Sequence, residues 1–211
     1  MQLDDRPFTE EFENLHQIFP MNVKSRDIGR YRIHPEEVVL SAGDAFGSGA
    51  HPTTRLCVDM LHRYLKPGDR FLDVGTGSGI LMIIASRLGA AKVIGFDKYP
   101  SIATIAKNNL IANKITQNQG SVFVANSPAL IRCRFDIAAI NILPGVILSS
   151  LSELSSVLHS DGLRLCAGMI LGNTHQVEAG LDKVGFKIVH KDCKDLWVGI
   201  AAKRCARHSV R

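Results

Sequence analysis

Asp73 stands two residues before a run of alternating glycines, Gly75, Gly77 and Gly79, and Asp97 closes the next apolar stretch, Lys92-Val-Ile-Gly-Phe-Asp97. An apolar run ending in an acid, then a glycine turn, then a second acid about twenty residues on, is the pattern of a nucleoside-cofactor site at the carboxyl edge of a parallel sheet. The spacing separates two cofactor classes. A dinucleotide turn has the form G-x-G-x-x-G and aims a helix N-terminus at a pyrophosphate. Here the third glycine comes one residue early, and Asp73 would face that pyrophosphate. S-adenosyl-L-methionine (SAM) has no phosphate. Asp73 can meet its ammonium, directly or through water, and Asp97 can accept from both ribose hydroxyls. The bare backbone of Gly75-Thr76-Gly77-Ser78-Gly79 lets a cofactor lie against the turn. A glycine turn that only joins a strand to a helix is the competing reading, and the paired acids weigh against it.

Asn141 follows the apolar run 136–140 and is the best catalytic candidate. Methyl transfer from a sulfonium is an in-line displacement, so the protein supplies position and electrostatics. An attacking lysine, with an ordinary pKa of about 10.4, must first lose a proton, and desolvation helps it do so. The Asn141 side-chain oxygen, with a carbonyl from Ile142 or Leu143, can accept from the amine and aim its lone pair. The alternative is an asparagine that merely caps a loop.

The loop Asp44-Ala-Phe-Gly-Ser-Gly-Ala-His-Pro-Thr-Thr54 precedes a helical pattern. Phe46 can cover the methionine end of the cofactor or shape the acceptor pocket. Thr53 and Thr54 can cap the helix or touch the cofactor carboxylate, Thr54 being preferred for the cofactor. His51 reads first as a structural hydrogen-bonder and second as a catalytic group. Trp197 lines the acceptor entrance or belongs to the core. The histidines show no metal-ligand spacing, so no metal is expected.

The positioning elements follow from periodicity. Strands are expected at 70–74, 91–96, 121–125, 136–140 and 162–167, with a closing pair at 186–190 and 196–201. Helices are expected at 56–65, 79–88, 101–113 (Ser101 as N-cap, Ile102, Ile105 and Ala106 inward), 147–158 and 177–184. Residues 36–40 read as a short strand or an extended entry. Apolar strands alternating with helices imply an α/β domain whose sheet is covered on both faces.

The chain has 211 residues, 45% of them hydrophobic, enough for one full core plus terminal extensions. No apolar run approaches the roughly 20 residues of a membrane helix. The acidic start Met1-Gln-Leu-Asp-Asp lacks signal-peptide features, so a cytoplasmic location is expected. Five scattered cysteines, none in C-x-x-C spacing, read as reduced and mostly buried thiols. The net charge of +5 is partly in the tail, Lys203 to Arg211, which reads as a solvated terminus or a weak RNA-binding patch. The expected organisation is an extension over 1–39, a cofactor domain over 40–203 and a basic tail over 204–211.

Phe46-Gly-Ser-Gly-Ala-His-Pro-Thr-Thr54 resembles the F-G-T-G-x-H-x-T-T loop of the bacterial PrmA-type methyltransferases of the eleventh large-subunit ribosomal protein. Leu72-Asp-Val-Gly-Thr-Gly-Ser-Gly-Ile-Leu81, Gly95-Phe-Asp97, Asn141-Ile-Leu143 and Leu196-Trp-Val198 resemble that family's cofactor loop, strand end, N-I-L motif and last strand. The resemblance runs over roughly residues 40–203. It implies a Rossmann-like SAM-dependent methyltransferase fold: a seven-stranded, mostly parallel sheet with helices on both faces and the last strand antiparallel. It also implies methyl transfer to amines, lysine or α-amino, of a protein substrate, ribosomal or other. Roughly forty residues precede the loop, fewer than the family's substrate-recognition domain, so a shortened N-terminus is expected. Ser48 replaces the family's threonine and Pro144 a small residue. Where the family offers an acid for the adenine amine, the resemblance implies Asn126, with Ser127 beside it, whose amide oxygen can still accept. Two other readings stand beside this one. An RNA or DNA exocyclic-amine methyltransferase fits the basic charge, but N-I-L-P is a loose match to the N-P-P-Y of such enzymes. A non-catalytic interaction module would not need its site residues intact.

Overall fold

The computed structural model describes residues 38–40 and 49–204. Phe46, Ser48, the extension up to residue 37 and the tail beyond residue 204 lie outside the described residues.

A helix, α1 (Pro52–Tyr64), leads into an alternating series: β1 (Arg70–Val74), α2 (Ile80–Arg87), β2 (Lys92–Asp97), α3 (Pro100–Ala112), β3 (Gly120–Val124), β4 (Phe135–Asn141), α4 (Pro144–Val157), β5 (Leu158–Ile170), α5 (Thr174–Lys183), β6 (Phe186–Lys194) and β7 (Trp197–Arg204). The seven strands form one sheet in the order β3-β2-β1-β4-β5-β7-β6. β1 to β5 are parallel neighbours, and β7 runs antiparallel to both β5 and β6. The strand order reverses between β1 and β4, so the carboxyl ends of β1, β2 and β4 open one crevice at the switch point.

Side chains alternate across each strand, and each face has its own core. Phe71 of β1, Ile137 and Ala139 of β4 and Leu163 and Leu165 of β5 pack under α1, α2 and Leu110 of α3. Leu72, Val74, Ala138, Ile140 and Cys166 face the opposite way, against Ile147, Leu151 and Leu154 of α4 and Val177 and Leu181 of α5. The near-continuous apolar strands therefore reflect a sheet buried on both sides. At Gly199 of β7 an added Cβ would press on Leu56 and Met60 at 3.1 Å, so a small residue there lets α1 lie close to the sheet.

Several boundaries differ from the periodicity. Residues 38–40 form no strand; instead the Asn113 side chain accepts from Val39 N at 3.1 Å and donates to Val39 O at 2.7 Å. Ser101 does not cap α3: Pro100 occupies the first helical turn and Tyr99 is the N-cap. The inward residues of α3 are Ala103, Ala106, Asn109 and Leu110, while Ile102 and Ile105 are only half-buried. Of these, Ala106 and Leu110 lie against Gly79 of the glycine turn. β5 is much longer than 162–167 and begins directly where α4 ends, with no connecting residue. Of the four described cysteines, Cys57 and Cys166 are buried but Cys193 is exposed, so the thiols are less buried as a group than expected.

Arg164 is a further departure, being fully buried in the middle of β5. Its guanidinium lies 4.4 Å from the Phe186 ring centroid and donates to Leu151 O (2.9 Å) and Ser155 Oγ (3.2 Å). Arg204 donates to Ser155 O and Arg134 to Leu158 O. α4 has no basic residue in its own last turn, so three arginines from neighbouring segments supply donors and positive charge there. Nε and Nη1 of Arg164 have no partner among the described residues, and burial lowers its pKa. A buried cation with unfilled donors contributes less than apolar packing of the same shape. Arg164→Met should therefore retain more stability than Arg164→Ala, which leaves a cavity costing about 2–5 kcal/mol. Urea unfolding checks this, and equal midpoints for the two variants would contradict it.

Candidate functional site

The glycine turn leaves β1 at Val74 and enters α2 at Ile80. Gly75, Gly77 and Gly79 all take positive φ (67°, 53° and 80°), a region that side-chain-bearing residues avoid. Gly79 is the left-handed N-cap of α2, and an added Cβ there would meet Leu110 Cδ1 at 3.1 Å and Ala106 Cβ at 3.4 Å. At Gly75 an added Cβ would collide with the Ile142 side chain. Close approach on both sides thus requires the glycines as much as the turn itself does.

Three hydrogen bonds tie the turn to β2 and α3. Thr76 N donates to Phe96 O at 2.9 Å, Gly77 N donates to Asp97 Oδ2 at 3.3 Å, and Asn109 Nδ2 of α3 donates to Ser78 O at 2.8 Å. Asp97 also accepts from Tyr99 N through Oδ1 at 3.1 Å. It is buried at the end of β2 and joins the turn to the start of α3.

Asp73 is buried beneath the turn and accepts from Thr76 Oγ1 at 2.8 Å. Burial pushes its carboxyl up to about 7, against the Thr76 hydrogen bond, and the negative charge of Asp97 adds to the rise. Gly95, opposite Asp73 on β2, leaves room for Thr76 and Met82; a Cβ there would strike both side chains. An acid held in this way, with no cation paired to it among the described residues, suits a ligand that brings a positive charge.

Asn141 ends β4 beside this turn. Its Oδ1 is buried and has no hydrogen-bond partner among the described residues. Ile142 runs between two glycines, its side chain against Gly75 and its carbonyl oxygen against Gly168 of β5. Gly168 has φ 97° and lies where the β5–β7 register shifts, between Cys166 and Met169. Any side chain there would run into the Ile142 backbone, so this bulge lets the 141–143 loop lie across the end of β5. Leu143 O accepts from Val146 N (3.0 Å) and Ile147 N (3.1 Å) and so belongs to the first turn of α4.

His51 is the N-cap of α1. Its Nδ1 accepts from Thr53 N at 3.3 Å and lies 2.8 Å from Thr53 Oγ1. The capping role expected of Thr53 and Thr54 thus falls to His51. Thr54 is buried, and its Oγ1 has no partner among the described residues. The His51 ring meets the Trp197 ring edge-on, with centroids 4.8 Å apart, and burial lowers its pKa. Trp197 pairs with Ile170 at the end of β5, so His51 and Trp197 reach the same edge of the sheet as Asn141. Gly49 lies against Ile80 at the start of α2, which places the segment after residue 48 beside the glycine turn.

At the end of β3, Asn126 is exposed, while Ser127 caps the short 3-10 turn Pro128–Leu130 and donates to Glu153 Oε2 at 2.6 Å. Asn126 is therefore the freer of this pair. Asp73, Gly75, Thr76, Gly77, Gly79, Asp97 and Asn141 come together at one edge, with Ile142 and Leu143 alongside.

Two residues that position the site were not anticipated from the sequence. Asn109 had a signal, a polar side chain on an otherwise small and apolar inward stripe of α3. Gly168 had another, a lone glycine inside a strand pattern, which marks a bulge or a close backbone approach.

Residues 22–205 match the sequence profile of the ribosomal protein L11 methyltransferase (PrmA) family. The chain is 42% identical over 174 residues to the ribosomal protein L11 methyltransferase of Desulfosudis oleivorans, covering 81% of this chain and 58% of that protein. It is 37% identical to the Bacillus subtilis protein of the same name, over 82% of this chain and 56% of that one. The chain therefore spans somewhat over half the length of the curated relatives it matches. A ribosomal protein L11 methylase from Lactobacillus delbrueckii subsp. bulgaricus superposes with a TM-score of 0.71 at 31% identity, over 74% of this chain and 80% of that one. A precorrin-6y C5,15-methyltransferase from Geobacter metallireducens shares the fold alone, with a TM-score of 0.61 at 17% identity, over 71% of this chain and 86% of that one. The fold is the Rossmann-like α/β architecture of methyltransferases, and the chain belongs to the ribosomal protein L11 methyltransferase (PrmA) family.

Proposed function

We propose that this chain is a SAM-dependent methyltransferase that modifies an amine of a protein substrate, and that the substrate is a ribosomal protein, as the names of its relatives indicate for them. The observation that supports this reading most directly is the buried, unclaimed Oδ1 of Asn141 at the switch point, pressed against the glycine turn through Ile142. A buried carbonyl oxygen without a donor costs free energy unless a ligand fills it. An amine with its protons directed at Oδ1 fills it, and its lone pair is then fixed in direction. Leu143 O is engaged by the first turn of α4, whereas Asn141 Oδ1 has no donor among the described residues.

The residues present fit the cofactor. Asp97, already tied to the turn, has lone pairs left for two ribose hydroxyls. The backbone of Gly75 to Gly79 offers a surface without side chains except Thr76 and Ser78. Thr54 Oγ1 is a free hydroxyl for the cofactor carboxylate, and Asn126 offers an amide to the adenine. Asp73 supplies negative charge beneath the turn for the ammonium. When bound, SAM supplies an electrophilic methyl on a positively charged sulfur. The chain excludes water, holds the acceptor amine neutral and orients it. Desolvation between Trp197, His51 and the 141–143 loop favours the neutral amine, so no strong base is required.

Asn141→Ala should lower kcat by about a hundredfold, the scale of a lost positioning hydrogen bond at a reacting centre, with cofactor affinity within about twofold. A radiolabelled methyl-transfer assay and calorimetry read the two quantities, and an unchanged kcat would remove Asn141 from the mechanism. Asp97→Ala should weaken SAM binding by about a hundredfold, because two charge-assisted hydrogen bonds are lost. Calorimetry showing wild-type affinity would place the ribose elsewhere.

Asp73 gives a pH signature. Its folded-state value, about 7, lies above the unfolded value of 3.8. The ligand-free fold then binds more protons than the unfolded chain between these values, so stability falls as pH rises from about 4 to about 7. A bound cation favours the carboxylate and reverses that loss. SAM affinity should rise between pH 6 and pH 8, with proton release at pH 6. Asp73→Asn should flatten both the affinity and the stability profiles. Calorimetry in buffers of different ionisation enthalpy measures the proton release, and a flat wild-type profile would contradict the assignment.

A further inference from the structure

The carboxyl edge beside Asn141 exposes large apolar side chains. Leu143 and Val146 lie at the start of α4, Ile170 and Leu171 at the end of β5, and Leu196 in the turn before β7. Leu171 and Leu196 are 52% and 68% exposed. The segments that bear them adjoin one another. Leu171 N donates to Leu196 O at 3.0 Å, Ile170 stands opposite Trp197, and the backbone of Gly168 lies against that of Ile142. Residues 137–152 and 165–174, which build most of this rim, include no Asp, Glu, Lys or Arg, in a chain whose net charge is +5, and the charges at its margin are Lys194 and Asp195, one of each sign, before Leu196.

We propose that this rim docks the acceptor polypeptide by seating apolar residues that flank the target amine. The inference rests on the amine-methyltransferase reading and adds a sequence preference to it. Two physical arguments choose the occupant. An amine arrives as an ammonium and must shed a proton before attack. Carboxylates around the entrance would hold that proton, whereas an uncharged, desolvating surround releases it. A nucleic acid would instead need several cations for its phosphates, and the rim offers Lys194 alone, with the carboxylate of Asp195 next to it in sequence. Each apolar side chain seated there raises affinity by about tenfold or more, enough for two or three flanking residues to dominate selection.

Trp197 is the single tryptophan of the chain and lies at this rim, so its emission reports docking without methyl transfer. Short peptides with one lysine flanked by Ile, Val or Leu should shift that emission saturably, and peptides with Asp and Glu flanks should not. Combining Leu171→Asp with Leu196→Asp, two exposed positions, should weaken the apolar peptide by about tenfold or more, one lost side-chain burial, and leave SAM binding by calorimetry unchanged. Equal affinity for both peptides overturns the proposal. So does a wild-type chain indifferent to every peptide, in which residues 1–37 cover the rim, or one whose sedimentation shows a dimer that the double variant dissociates. A chain that docks the apolar peptide but methylates no amine overturns the enzymatic reading and leaves the docking surface standing. One that methylates free amines without peptide preference does the reverse.

Discussion

Asp97 carries the connection on which the site depends. Its carboxylate accepts from the glycine turn on one oxygen and from the start of α3 on the other. One side chain thereby fixes how the turn after β1 stands relative to the end of β2. Thr76 N to Phe96 O repeats the link with backbone atoms, and Asn109 grips the turn from above. The turn has three residues at positive φ and would sample many conformations alone. Anchored in this way it presents a fixed backbone surface, and a ligand need not supply the ordering free energy.

The buried carboxyl of Asp73 acquires its meaning from that rigidity. A mobile turn would let water reach it and restore an ordinary acid. Beneath a pinned turn it keeps a raised pKa, opposed only in part by Thr76. The same economy applies at Asn141. The oxygen stays without a donor because Ile142 is wedged between Gly75 and Gly168 and cannot rotate to let the loop collapse.

Much of this was legible in the sequence because short-range rules govern it. The acids at strand ends, the glycine spacing and the alternation of apolar strands with helices identified the switch-point crevice and the two-faced sheet. The family resemblance implied seven strands with the last antiparallel, but the order β3-β2-β1-β4-β5-β7-β6 emerged only in the structure, since periodicity says nothing about which strands become neighbours. What escaped was set by tertiary contact. Ser101 is a good local cap, but Pro100 started the helix one residue earlier. Ile102 and Ile105 have the more apolar side chains, yet Ala103, Ala106, Asn109 and Leu110 face inward, and Ala106 and Leu110 lie against Gly79 of the glycine turn. The buried Arg164 contradicts its residue type, and only the assembled end of α4 explains it.

The direct passage of α4 into β5 has a bearing on how this fold can vary. Val157 ends the helix and Leu158 already pairs with Phe135, but the next pair is Ile137 with Leu163, so residues 159–162 stand against Asp136 alone. This irregularity carries the exposed Ser160 and Asp161 and can absorb a change in length before the alternation of Leu163, Arg164, Leu165 and Cys166 begins. Insertions and deletions during divergence should accordingly accumulate there and at the 3-10 turns at Pro128–Leu130 and Leu171–Asn173, and spare the register from Leu163 onward.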